Sequence, residues 1–67
     1  MQHEKLVTMA NQIATFYESQ PEPDRTQGTL VHLKDFWDPR MKAALREIAA
    51  KPDNGLSPLA LSAAQNL

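Results

Sequence analysis

Leu30-Val31-His32-Leu33-Lys34-Asp35-Phe36-Trp37-Asp38-Pro39-Arg40-Met41-Lys42-Ala43-Ala44-Leu45-Arg46-Glu47-Ile48 is the stretch that decides the fold. Leu30, Leu33 and Trp37 share one helical stripe, widened by Val31 and Phe36, and Met41, Ala44, Leu45 and Ile48 repeat the i, i+3, i+4, i+7 pattern. Asp38-Pro39 interrupts the two patterns. The Asp38 carboxylate suits an N-cap that accepts from the free amides of the next turn, and Pro39 suits the first helical position, where its missing donor is harmless. The stretch therefore predicts two helices meeting at a sharp corner.

Upstream, the second helix is expected to begin at Asp24 or Thr26, with Gly28 weakening its first turn by about 1 kcal/mol. Gln20-Pro21-Glu22-Pro23-Asp24 reads as a short, stiff loop, because each Pro lacks a donor and restricts its predecessor to extended conformations. From Glu4 to Ser19, Leu6, Met9, Ile13, Phe16 and Tyr17 recur at spacings of three and four, a first amphipathic helix. Downstream, the third helix is expected to end before Pro52, with Asn54-Gly55 closing the turn in the left-handed region. Ser57 as cap and Pro58 at the first position then predict a short last helix from Leu59 to about Gln65, with an Ala-rich body that buries little. The expected architecture is all-α: one domain over residues 1–67, three helices and a short fourth, docked on a larger partner.

That last expectation comes from size. A chain of 67 residues has little core, and small domains usually add disulfides, a structural metal or a partner. There is no Cys, and the only imidazoles are His3, near a terminus expected to fray, and His32, so a partner remains. The absence of Cys, of an apolar run of about 20 residues and of a signal-peptide pattern at Met1-Gln2-His3-Glu4-Lys5 points to the cytoplasm and away from membranes. Seven Lys and Arg against eight Asp and Glu, interspersed, leave a net charge of −1 and no footprint for nucleic acid.

Catalytic chemistry has no foothold. Asp38 is accounted for by capping, and Glu22, Asp24 and Asp35 by a solvated surface. Gly28 and Gly55 belong to no phosphate-cradling pattern. No catalytic, cofactor-binding or metal-binding residue is therefore expected. Phe36-Trp37-Asp38-Pro39-Arg40-Met41 instead gathers residue types enriched in interface hot spots. Neighbours on a helix point about 100° apart, so one of Phe36 and Trp37 is expected to plug the core. Arg40 opposes the dipole of the helix it begins, which a carboxylate on a partner or solvation would explain.

Leu6-Val7-Thr8-Met9-Ala10-Asn11-Gln12-Ile13, Phe36-Trp37-Asp38-Pro39-Arg40-Met41 and Gly55-Leu56-Ser57-Pro58-Leu59, in this order, resemble the delta subunit of the soluble, NAD-dependent formate dehydrogenases of bacteria. The resemblance implies a cytoplasmic complex that converts formate and NAD to CO2 and NADH. Its large alpha subunit would carry a molybdenum or tungsten bis-pterin and iron–sulfur clusters, and its beta and gamma subunits would pass electrons through FMN to NAD. The delta chain would hold no cofactor and would support assembly or stability. Met9, Asn11, Phe36, Trp37, Arg40 and Met41 are then expected at the partner interface. Two other readings remain: a self-associating helical adaptor or regulatory module, and a helical nucleic-acid-binding domain suggested by the corner at Asp38-Pro39.

Overall fold

The computed structural model describes residues 3–67, apart from the side chains of residues 22 and 23; Met1 and Gln2 of the N-terminal reading lie outside the described residues. Its four helices are α1 (His3–Glu18), α2 (Glu22–Phe36), α3 (Pro39–Ala49) and α4 (Pro58–Gln65), and no strand occurs among the described residues. The Cα radius of gyration is 10.7 Å, against about 10.9 Å for a folded domain of this length. The exposed surface of 4438 Å² is likewise close to the roughly 4,200 Å² of a monomer of this mass.

α1 and α4 each pack against all three other helices, whereas the consecutive α2 and α3 scarcely meet. The short last helix is thus central, contrary to the sequence expectation that it buries little. Ala60, Ala63 and Ala64 are fully enclosed. Small side chains set the distance at which helix backbones approach, and alanine lets α4 lie close to three neighbours at once.

The same substitution of small for large governs α1. Its buried stripe is Leu6, Ala10 and Ala14, an i, i+4, i+8 set, while Met9 and Ile13 are half-buried and Phe16 is 64% exposed. The stripe expected from the larger residues is therefore displaced toward the alanines. The core is completed by Leu33 and Trp37 from α2 and by Leu45, Ile48 and Ala49 from α3, with Leu30, Met41 and Ala44 packed against it. Buried Thr29 satisfies its hydroxyl by donating to the Arg25 carbonyl at 2.8 Å.

Several helix boundaries move by a few residues. α1 already starts at His3, where a frayed terminus was expected, and ends at Glu18. α2 starts at Glu22 because Pro21 serves as its N-cap and Pro23 lies in the first turn, whose amides have no intrahelical partner to lose. The expected five-residue loop thus shrinks to Ser19-Gln20-Pro21. At the corner Trp37 leaves the helix as an extended C-cap (φ −89°, ψ 138°), while its amide still donates to the Leu33 carbonyl at 3.1 Å.

Asp38 is the N-cap of α3, its Oδ1 accepting from the Met41 amide at 2.8 Å, with Pro39 next. Ser57 caps α4 by accepting from the Ala60 amide at 3.3 Å, with Pro58 next. Lys42 donates to the Lys34 carbonyl at 3.2 Å, bracing the open end of α2 across the corner. In the α3–α4 connection the left-handed residues are Asp53 (φ 54°) and Gly55 (φ 78°); Asn54 contributes through its side chain, which donates to the Lys51 carbonyl and accepts from the Leu56 amide, each at 3.0 Å.

Candidate partner-docking face

The fold assigns the expected interface residues to different tasks. Trp37, expected at the interface, turns inward and is only 6% exposed, while its neighbour Phe36 is 75% exposed. The extended backbone at Trp37 sends the indole under the α2–α3 corner and leaves Phe36 on the outer face of the last turn of α2. Arg40 is exposed in the first turn of α3, and Met41 is half-buried against the core.

Asn11, also expected at the interface, is committed inside the chain. Its Nδ2 donates to the Gly55 carbonyl at 3.0 Å and its Oδ1 accepts from the Ser57 amide at 2.9 Å. The carboxamide therefore pins the entry of α4 onto α1, and an amide is the side chain that offers a donor and an acceptor side by side. Asn11→Asp keeps the shape and the Ser57 bond but sets a carboxylate oxygen against the Gly55 carbonyl. A loss of about 1–2 kcal/mol is expected, read as a lower midpoint in urea with an unchanged slope; an unaltered midpoint would show that the tie contributes nothing.

Two of the exposed large apolar side chains, Phe16 and Phe36, are joined on one face. Met9, Gln12, Ile13, Phe16 and Tyr17 of α1 and His32 of α2 line an open groove of about 470 Å³. Four rings cross it in series: Phe16 meets Tyr17 edge-on at 5.0 Å, Tyr17 faces His32 at 6.5 Å, and His32 lies against Phe36 at 4.7 Å between centroids. The two edge-on contacts suit the ring quadrupoles, and His32 and Phe36 are tilted by 36°.

Gly28 makes this floor possible. A Cβ built there would lie 2.5 Å from a Tyr17 ring carbon, so the ring rests directly on the α2 backbone. The glycine that weakens the helix from within is thus required by a contact from outside. Gly28→Ala should recover about 1 kcal/mol of helix propensity yet force the Tyr17 ring out of place, at a cost of about 1–3 kcal/mol. The expected outcome is no gain in thermal stability together with altered Tyr17 NMR shifts; a clear rise in Tm would contradict the packing.

A second groove, of about 410 Å³, runs between the start of α1 and the 51–55 loop, beside Val7, Ile48, Lys51 and Asn54. It carries none of the exposed Phe side chains. Among the described residues no group of three or more His, Cys, Asp or Glu is placed to hold a metal ion, and no helix is long and apolar enough to cross a membrane.

Phe16 and Phe36 stay outside a core that encloses Trp37, leucines and alanines, and the sequence match is to a subunit. A family model described as the NADH-dependent formate dehydrogenase delta subunit FdsD matches residues 5–64. The chain belongs to the FdsD family. The match begins in α1 and ends in α4, so it takes in the Asn11 tie, the aromatic groove and the Asp38-Pro39 corner of this delta subunit. No curated protein and no solved structure matches it.

Gln12, Ile13, Phe16, Tyr17 and His32 line the groove, and Gly28 lies beneath it, yet the sequence reading placed none of them at an interface. A signal existed for α2: Gly28, His32 and Phe36 recur every four residues, one surface stripe. For Phe16 the sequence pointed the wrong way, because an aromatic in phase with an apolar stripe is normally core.

Proposed function

We propose that this FdsD-family chain is a non-catalytic accessory subunit that docks through its α1/α2 face onto the large metal-pterin alpha subunit of a cytoplasmic NAD-dependent formate dehydrogenase, supporting its assembly or stability. The observation that carries this reading is the outward display of Phe16 and Phe36 beside a groove. Exposed aromatics in a contiguous patch mark interaction sites, and aromatic anchors dominate binding energy.

In this reading the cofactors belong to the partners: a molybdenum or tungsten bis-pterin and iron–sulfur clusters in alpha, and FMN and the NAD site in the beta and gamma subunits. The delta chain contributes binding energy alone, which stabilises whatever folded state it prefers. The test is an affinity pull-down of the tagged chain from its native cytoplasm, with subunits identified by mass spectrometry and formate-dependent NAD reduction assayed in the eluate. Recovery of the alpha subunit with activity is expected. Recovery of the chain alone as a folded oligomer would overturn the reading in favour of a self-associating module.

A further inference from the structure

We propose that Asn54-Gly55, in the connection between α3 and α4, is a site of spontaneous deamidation that the folded chain holds closed, and that its conversion unseats α4.

The reaction begins when the amide nitrogen of the following residue attacks the Asn side-chain Cγ. The N–Cγ bond forms, the Cγ–Nδ2 bond breaks and ammonia leaves, giving a cyclic imide. Water then opens either carbonyl of the imide, to aspartate or to isoaspartate, in which the main chain runs through Cβ and Cγ. No oxidant or reductant takes part. A side chain on the following residue shields its amide, and helical pairing fixes it. Asn11 precedes Gln12 inside α1, and Asn66 precedes Leu67. Asn54 precedes a glycine outside any helix, and glycine leaves its amide open to close approach. The turn itself calls for that glycine, because Gly55 lies in the left-handed region at φ 78°. The bend that leads the chain into α4 thus creates the labile pair.

The same fold restrains it. Asn54 Oδ1 accepts from the Leu56 amide at 3.0 Å, and its Nδ2 donates to the Lys51 carbonyl at 3.0 Å. On the other side, Asn11 Nδ2 donates to the Gly55 carbonyl at 3.0 Å. Closing the imide ring draws the carboxamide out of its own bonds and swings the Gly55 peptide away from Asn11. The reaction therefore proceeds through a locally opened connection, which these bonds make rarer by about tenfold or more.

Conversion is costly to the fold. Isoaspartate lengthens the main chain by a carbon and sets a carboxylate against the Lys51 carbonyl, which had accepted from the amide. The Gly55 carbonyl and the Ser57 amide, both bound by Asn11, are displaced from it. α4 packs on all three other helices, so the loss of its fixed entry reaches the whole core.

The test incubates the full chain at mildly alkaline pH, in buffer and in denaturing urea, and follows conversion by peptide mapping with an isoaspartate assay. Conversion at Asn54 is expected in urea, about tenfold or more slower in buffer, with Asn11 lagging in both. The converted chain, separated by its added negative charge, is expected to melt about 5 °C or more below the parent. No conversion at Asn54 in urea, or equally fast conversion at Asn11, would overturn the site. Equal rates in urea and buffer would overturn its protection by the fold, and an unchanged melt of the converted chain would overturn the unseating of α4.

Discussion

Trp37→Ala is expected to unfold the isolated chain, whereas Phe36→Ala, one residue earlier, is expected to leave it folded. The Trp37 indole is 6% exposed and belongs to the hydrophobic core, so its removal costs about 3–5 kcal/mol. A domain of this size has roughly 3–5 kcal/mol to lose. Phe36, at 75% exposure, gives up little buried area in the free chain. Far-UV circular dichroism during a thermal melt separates the two: a cooperative transition for Phe36→Ala and none for Trp37→Ala. A well-folded Trp37→Ala chain would mean that the α2–α3 corner is held by its capping and by the Lys42 bridge, and not by the indole.

The second large effect concerns binding. The double variant Phe16→Ser with Phe36→Ser is expected to weaken association with the formate dehydrogenase complex by about a hundredfold or more while preserving the melting curve. A buried aromatic hot spot is worth about 2 kcal/mol or more, and about 1.4 kcal/mol is a factor of ten. The two rings belong to one series through Tyr17 and His32, so their effects should not be fully additive, and the single variants are expected to account for more than the double. Titration of the labelled chain into complex depleted of it reads the affinity directly. Unchanged affinity with an unchanged melt would move the docking surface elsewhere, with the rim of α3 around Arg40 as the next face to examine.

These two variants differ because the molecule divides its apolar residues in an unusual way. In α1, α2 and α4 the enclosed positions include Ala10, Ala14, Thr29, Ala60, Ala63 and Ala64, while Phe16, Val31 and Phe36 face outward. A sequence reading weights residues by hydrophobicity and therefore sends Phe16 to the core and discounts the alanines of α4. The fold reverses both because helix spacing, and not apolarity alone, selects what fits between closely packed backbones.

Asn11 illustrates the other limit. Nothing near it in sequence indicates a partner 44 or more residues away, so its pairing with Gly55 and Ser57 was invisible as a pattern and read as part of a docking surface. The tie exists because the α3–α4 connection passes over α1 with a carbonyl and an amide turned toward it. A side chain with one donor and one acceptor answers both.

The sequence by itself determined that the chain is all-helical, where its helices begin and end to within a few residues, and that the delta-subunit family is the one it resembles. Those features are local: apolar spacing, Asp38-Pro39 and Ser57-Pro58 act within a turn or two of themselves. Only the tertiary structure decided that the alanine sides of α1 and α4 are inside, that α4 is central, and that Tyr17 lies over Gly28 in line with His32 and Phe36. Those features depend on how closely backbones approach, a property of pairs of helices that no single stretch of sequence contains.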